Sequence, residues 1–141
     1  MRLFACHLSA DCYGLSISGL PMRIFIVDDQ PGLAGMLAMS LCVAGHAAKG
    51  FASATEALAV IVEADLLVTD FNMPEMTGLE MVQRAYDQGW RGAVLIMSGT
   101  PTQIRTPLDH PLIRMGLIKP FATSELVEAI DMIEHENTNG S

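Results

Sequence analysis

The sequence predicts an α/β domain built on a doubly wound, five-stranded parallel sheet with the strand order 2-1-3-4-5. The first observation is that short runs of branched, uncharged residues alternate with helical segments along the chain. The second is that these runs are too short for helices and too apolar to face water, as expected for strands covered on both faces. Such alternation is typical of parallel sheets, because parallel neighbours need a crossover connection between them.

Five apolar segments are predicted as strands. The first and third lead directly into acidic residues, and the second is the weakest of the set. The fifth is the shortest and ends before a lysine and a proline. In order, the predicted strands are residues 23–27, 47–51, 66–68, 93–97 and 117–118.

Four segments are predicted as helices from their apolar periodicity and their end signals. The first carries no charged residue and ends at a glycine. The second is short, and Ser53 is its expected N-cap, with Glu56 at the third helical position completing a capping box. The four predicted helices are residues 30–44, 54–61, 79–88 and, from 123 or 124, the segment that ends at 134.

The segment from residue 99 to residue 115 departs from this regular pattern. Pro101, Pro107 and Pro111 each lack an amide donor and disfavour helix in the residue before them. At roughly 3 kcal/mol for each interior proline, a regular helix would not persist through Pro107 and Pro111. We expect a loop or one broken turn, so that the fourth helix is irregular or missing.

Composition sets limits on the class of protein. The 141 residues include sixteen acids and eight bases, a formal net charge of −8, without a basic cluster that would follow a nucleic-acid backbone. No apolar run reaches the length of a membrane span, so we expect neither direct nucleic-acid binding nor membrane insertion. We expect residues 1–21 to be a poorly ordered N-terminal extension, residues 22–135 to form the domain, and residues 136–141 to be a polar tail.

The cysteines and histidines show no spacing that indicates a metal site. The three cysteines form an odd set, which makes a disulfide framework improbable and favours a reducing, cytoplasmic location. The histidines are scattered and are interpreted as surface or loop residues. These residues are Cys6, Cys12, Cys42, His7, His46, His110 and His135.

Charged residues follow three of the predicted strands. Asp28 and Asp29 come directly after the first strand, Asp70 lies at the end of the third, and Lys119 follows the fifth. If the strands are parallel, these side chains meet at one edge of the sheet, where open α/β sheets bind their ligands. Three adjacent carboxylates repel one another, and only a bound cation or a protonated partner makes such a cluster tolerable. Oxygen ligands of this kind suit Mg²⁺.

Taken in order, these residues resemble the receiver domain of bacterial two-component response regulators, the CheY-like domains with a flavodoxin-like fold. The resemblance covers roughly residues 22–134 and depends on several marks in the right order and spacing. These marks are the acidic pair Asp28 and Asp29, the acceptor Asp70 in Asp-Phe-Asn-Met-Pro, the Met-Thr-Gly of residues 76–78, the hydroxyl of Ser98, and Lys119 before Pro120.

The resemblance implies a phosphoryl-transfer role for this edge of the sheet. Asp70 would accept a phosphoryl group from a histidine of a sensor kinase or a histidine phosphotransfer protein. Lys119 and Ser98 would contact the phosphoryl oxygens, and the Lys119-Pro120 peptide would be cis. The chain would then be a stand-alone regulator that signals to a protein target, with no catalysis beyond self-phosphotransfer onto Asp70 and self-dephosphorylation.

The resemblance also implies a Mg²⁺ site. Asp29 and Asp70 would bind the ion directly and Asp28 would bind it through water. The backbone carbonyl of Asn72 would supply a further oxygen, and waters would complete the octahedron.

Two departures from the family concern signal output. Receivers commonly carry an aromatic residue three positions before the lysine, and here that position is Gly116. The second departure is the broken fourth helix.

A phosphorylation-independent interaction module with the same fold is therefore an alternative. A phosphohydrolase is less well supported, because no second acid stands two residues after Asp70, and a flavin protein would need a phosphate cradle where Asp28 and Asp29 stand.

The first helix suggests where partners dock. Its apolar residues spread beyond the stripe that one sheet face can cover, so some must stay exposed. Met36, Leu37 and Met39 are the candidates for an exposed patch that binds the phosphodonor or a second copy in a homodimer. The alternative is that residues 1–21 cover this patch.

Overall fold

The structure, a computed structural model, describes residues 22–105 and 110–139. The five strands form one parallel sheet in the order β2-β1-β3-β4-β5, which confirms the predicted fold class and strand order. The predicted extension of residues 1–21 lies outside the described residues. The strands are β1 (Arg23–Val27), β2 (Ala47–Phe51), β3 (Leu66–Asp70), β4 (Ala93–Ser98) and β5 (Ile113–Ile118).

Helices connect consecutive strands and cover both faces of the sheet. A short 3-10 turn, Ile61–Glu63, lies between the second helix and β3, so that helix ends two residues earlier than predicted. The helices are α1 (Pro31–Val43), α2 (Ala54–Ala59), α3 (Gly78–Asp87), α4 (Pro101–Arg105) and α5 (Thr123–Asn139). Within the described ranges, none of these helices has the length and apolar character that crossing a membrane requires.

The central strands β1, β3 and β4 are buried, apart from Arg23 at the start of β1. In β1 the side chains from Ile24 to Val27 have no exposed surface, and the same is true from Leu66 to Val68 in β3. Apolar surface removed from water stabilises the fold by about 25 cal/mol for each Å². This burial explains why the sequence has continuous apolar runs here. It also holds the ends of the strands, and therefore the polar side chains that follow them, in fixed positions.

The fourth helix is present in the part of this segment that the structure describes. Pro101 begins α4, where the missing amide donor has no consequence because the first helical residues lack an intrahelical partner anyway. The described part of the helix, Pro101–Arg105, is five residues long where a loop or one broken turn was expected, so the fourth helix is not missing. Residues 106–109, which include Pro107, lie outside the described residues.

The fifth strand and the last helix are both longer than predicted. β5 begins at Ile113, four residues before the predicted start, because Arg114 and Gly116 interrupt the apolar pattern without interrupting the strand. The last helix continues to Asn139, five residues beyond its predicted end at residue 134, and so includes the first part of the segment expected to be a polar tail. A polar sequence indicates that the helix no longer has an apolar face to bury. It does not by itself end the helix when proline and glycine are absent.

His46, predicted as a surface or loop residue, lies in a loop but is buried. His46 lies between α1 and β2 and is 6% exposed. Its Nε2 is 3.8 Å from Oδ1 of Asp131 on α5. The sequence around His46 consists of small residues, which gave no sign that the last helix would cover it.

Candidate phosphorylation site

The parallel sheet brings four polar side chains to one edge. Asp70 and Ser98 are the last residues of β3 and β4, while Asp28 and Lys119 directly follow β1 and β5. The register aligns these ends, since Asp70 is paired with Met97 and Ser98 with Ile118. Side chains that are up to 91 positions apart in sequence therefore lie together at the carboxyl edge of the sheet.

The three acids form one cluster. Carboxylate oxygens of Asp28, Asp29 and Asp70 all lie within 4.8 Å of one another. Asp28 is completely buried and Asp70 is 7% exposed, whereas Asp29 faces solvent. Hard oxygen donors at this spacing, with one acid open to water, are a donor set that fits Mg²⁺ and its retained waters.

Lys119 connects two members of this acidic cluster. Its Nζ lies 2.9 Å from Oδ2 of Asp28 and 3.3 Å from Oδ2 of Asp70. The Lys119 backbone N–H also donates to the carbonyl of Ser98, over 2.8 Å, which ties the lysine to the end of β4. The Lys119-Pro120 peptide is cis, as expected from the resemblance.

Burial and charge together set the pKa values of this pair. Burial raises the pKa of Asp70 above its ordinary value, and the charge of Asp28 acts in the same direction. The ammonium of Lys119 opposes both without cancelling them. Burial lowers the pKa of Lys119, but the hydrogen bond to Asp28 and the charges of both acids outweigh it and leave the pKa raised. Lys119 therefore stays positively charged beside Asp28 and Asp70 and partly offsets the repulsion between their carboxylates.

Asp28 is held by a hydrogen bond from the backbone, and Asp70 lies in close backbone contact with α3. The Asp28 Oδ1 accepts from the Gln30 N–H over 2.9 Å, which fixes the carboxylate at the start of α1. Gly78, the first residue of α3, lies directly against the acceptor strand. A Cβ at that position would be 2.6 Å from the carbonyl oxygen of Asp70, so only glycine allows this approach.

Ser98 and Asn72 both contact a residue that sequence reasoning missed. The Ser98 hydroxyl donates to Oε1 of Gln103 over 2.6 Å. The Asn72 side-chain amide donates to the same oxygen over 2.9 Å and accepts from Gln103 Nε2 over 3.1 Å. Gln103 lies in the proline-rich segment that was predicted as a loop or one broken turn, so no periodicity placed its side chain at the site.

Comparison with protein families places most of the chain in one of them. Residues 24–131 match the family model described as the response regulator receiver domain. The transcriptional regulatory protein TrcR of Mycobacterium tuberculosis is 30% identical over 120 residues, which cover 77% of this chain and 44% of that protein. The chemotaxis protein CheY1 of Helicobacter pylori is 27% identical over 120 residues, which cover 79% of this chain and 96% of that protein. The chain thus spans less than half of the length of the transcriptional regulators TrcR and DctD.

Solved structures agree with this assignment. The chemotaxis protein CheY4 of Vibrio cholerae superposes with a TM-score of 0.72 at 25% identity, covering 79% of this chain and 98% of that one. A CheY-like receiver domain from Methanospirillum hungatei gives a TM-score of 0.77 at 22% identity, covering 86% and 99%. The second likeness shows the fold alone. With the family match over residues 24–131, the chain belongs to the response regulator receiver domains of two-component systems.

Proposed function

We propose that this receiver accepts a phosphoryl group on Asp70 from a phosphohistidine of a sensor kinase or histidine phosphotransfer protein, and signals by protein contact. The observation that supports this proposal most strongly is the position of Lys119 between Asp28 and Asp70. Lys119 supplies one fixed positive charge, and the carboxylates would hold the Mg²⁺ that supplies the rest of the charge neutralisation that phosphoryl transfer needs.

In the transfer step, a carboxylate oxygen of Asp70 attacks the phosphorus atom of the donor. The O–P bond forms and the P–N bond to the donor imidazole breaks. The departing nitrogen keeps the electron pair, and the other ring nitrogen of the imidazole carries a proton, so that no charged imidazolate is formed. The product is an acyl phosphate on Asp70 and a neutral histidine on the donor. Because burial raises the pKa of Asp70, the Lys119 ammonium beside it has the role of favouring the ionised, nucleophilic form.

The acidic cluster is the proposed Mg²⁺ site. Asp28, Asp29, Asp70 and the backbone carbonyl of Asn72 would hold the ion, which would neutralise charge on the transferring phosphoryl group. Asp28 is fully buried and fixed by the Gln30 N–H, so it orients the site, and Asp29 leaves one side open to solvent. Lys119 would pair with a phosphoryl oxygen after transfer.

Incubation of the chain with Mg²⁺ and acetyl phosphate, followed by intact-mass measurement, tests this proposal. We expect an increase of about 80 Da, the mass of one added phosphoryl group, which is absent in Asp70→Asn and absent in excess chelator. Asp87→Asn, a substitution of an exposed acid on α3, is the matched control and should be labelled like the wild type. Labelling of Asp70→Asn, or equal labelling in chelator, contradicts the proposal.

The second candidate function is an interaction module whose binding does not depend on phosphorylation. The glycine at position 116 favours this candidate. The aromatic side chain through which receivers commonly report phosphorylation has no counterpart at this position of β5. Under this alternative, Asp70→Asn and wild type would bind a downstream protein with the same affinity, with and without acetyl phosphate. A change in affinity that requires Asp70 would exclude it.

A further inference from the structure

Gln103 connects α4 to the candidate phosphorylation site. It is the third residue of α4 and is half-buried, and its side chain points back to the end of β4 and to the loop after β3. Its amide makes three hydrogen bonds there, one with Ser98 and two with Asn72. Among the side chains that the structure describes at this edge, Gln103 is one that the proposed transfer reaction does not use.

The Ser98 hydroxyl has one proton to donate. Oε1 of Gln103, at 2.6 Å, is a nearer acceptor for that proton than the Thr100 carbonyl, at 3.3 Å. The Ser98 oxygen accepts from the Thr100 N–H at 2.9 Å. The oxygens of an ionised phosphoryl group can only accept hydrogen bonds. Ser98 therefore cannot donate to Gln103 and to a phosphoryl group on Asp70 at the same time.

The residue after Gln103 connects the same helix to β5. Ile104 is 7% exposed, and its Cγ2 occupies the space that a Cβ at Gly116 would need. The position where receivers commonly have an aromatic side chain is thus filled by a side chain from α4. Two consecutive residues of α4 contact the end of β4 on one side and β5 on the other, so a shift of Gln103 carries Ile104 with it.

From these contacts we infer that Gln103 is a latch: it holds the Ser98 hydroxyl away from Asp70 in the unphosphorylated chain, and phosphorylation releases it together with α4. Gln103 is a positioning residue in this scheme, because it acts on the phosphoryl group only through Ser98. The inference rests on the proposed phosphorylation of Asp70 and gives it a structural output that needs no aromatic residue at position 116. It predicts that the latched state opposes binding of the phosphoryl group.

The test uses beryllofluoride, which binds a carboxylate as an analogue of the phosphoryl group, in the presence of Mg²⁺. Gln103→Met preserves the length of the side chain and introduces a residue that also favours helix, but it removes the amide. We expect Gln103→Met to bind beryllofluoride roughly three- to tenfold more tightly than wild type, the effect of one hydrogen bond that no longer has to be broken. Gln103→Asn, whose amide is one methylene too short to reach Ser98, should behave in the same way.

Two further variants make the test specific. Thr102→Ala changes an exposed neighbour on α4 and should bind beryllofluoride like the wild type. In a Ser98→Ala background, Gln103→Met should no longer raise the affinity, because the hydroxyl that the latch holds is gone. Unchanged affinity in both Gln103 variants overturns the latch. Weaker binding also overturns it, since Gln103 would then support the phosphoryl group directly.

Failure of the latch and failure of the proposed function give different results. If wild type takes up acetyl phosphate on Asp70 and the Gln103 variants bind beryllofluoride like wild type, only the latch is wrong. If wild type gains no phosphoryl group and does not bind beryllofluoride, the proposed function is wrong. In that case, Ser98→Ala could still shift the side-chain amide signals of Gln103 and Asn72 in the NMR spectrum. Such a shift would show only that these three side chains are in contact, and it would not support release by phosphorylation.

Discussion

The ammonium of Lys119 lies 2.9 Å from a carboxylate oxygen of Asp28, and that carboxylate has no exposed surface. A buried charge that loses its partner keeps the full cost of desolvation. We therefore expect Lys119→Ala to lower the free energy of unfolding by about 1–3 kcal/mol in chelator. Urea denaturation of the two proteins measures this difference.

The same substitution should increase the response to Mg²⁺. Lys119→Ala removes a cation that competes for Asp28 and Asp70, so adding Mg²⁺ should raise the melting temperature of the variant more than that of wild type. Lys49→Ala removes an exposed lysine on β2 and controls for the change in net charge. If Lys119→Ala is as stable as Lys49→Ala in chelator, the contact with Asp28 has no stabilising role.

Glu75, in the loop after β3, caps the beginning of α2. Its carboxylate accepts from the Ala54 N–H over 2.7 Å and from the hydroxyls of Ser53 and Thr55. These bonds, with the backbone bond from Ala54 the largest cause, lower the pKa of Glu75. The pKa of Glu75 is lower in the folded chain than in the unfolded one. The stabilisation that its ionised carboxylate gives the fold is therefore complete above the unfolded-state pKa and is lost as pH falls through the folded-state pKa.

Glu75→Gln should therefore be less stable than wild type at neutral pH, and the difference should disappear in acid. Denaturant unfolding at neutral pH and at a series of acidic pH values measures it. Glu128→Gln, at an exposed position of α5, provides the matched control. A difference between wild type and Glu75→Gln that is the same at every pH would show that the carboxylate charge is not what caps the helix.

Gly116 is required for space, because Ile104 fills the volume above it. Ile104 is branched at Cβ and has few rotamers to move into, so Gly116→Ala should destabilise the chain by about 1–3 kcal/mol. Adding Ile104→Leu, which removes the methyl group that overlaps, should restore part of the loss. Gly35→Ala is a useful contrast, since nothing lies near a Cβ on that face of α1 and alanine there should stabilise by about 0.4–1 kcal/mol.

The strands and the residues at their ends could be predicted from the sequence, because burial on both faces leaves a continuous apolar run and a parallel sheet aligns the carboxyl ends of its strands. Asp28, Asp70 and Lys119 came together for this reason. Gln103 could not be predicted, since its position depends on a short helix in a segment where three prolines remove the usual periodicity.

Capping was predicted only where both partners are close in sequence. The Ser53 hydroxyl accepts from the Glu56 N–H, as expected, but the side chain that completes the cap of α2 is Glu75, about twenty positions later. The capping box of α3, in which Thr77 and Glu80 exchange hydrogen bonds, has the local spacing that a sequence can show and was overlooked. Contacts that depend on tertiary structure leave no such local signal.

The exposed face of α1 is the remaining candidate for a docking surface. Leu37 is 3% exposed and faces the core, so its assignment to the exposed patch was wrong. Met36 and Met39 are 55% and 59% exposed, as predicted, and Val43 extends the same apolar face. An exposed apolar patch on α1, the helix that begins at the carboxyl edge of the sheet, suits contact with a phosphodonor protein or a second copy of the chain.

Met39→Glu tests this surface, because a charge would oppose burial of the patch against a partner. We expect it to slow phosphotransfer from a purified histidine kinase that phosphorylates wild type, or to dissociate a dimer seen by light scattering, while labelling by acetyl phosphate is unchanged. Met132→Glu, at a methionine on α5 that is 57% exposed, is the matched control and should change neither. Removing residues 1–21 tests whether that segment covers the patch, since the shortened chain would then self-associate more. If Met39→Glu behaves like Met132→Glu in both assays, the exposed face of α1 binds neither partner.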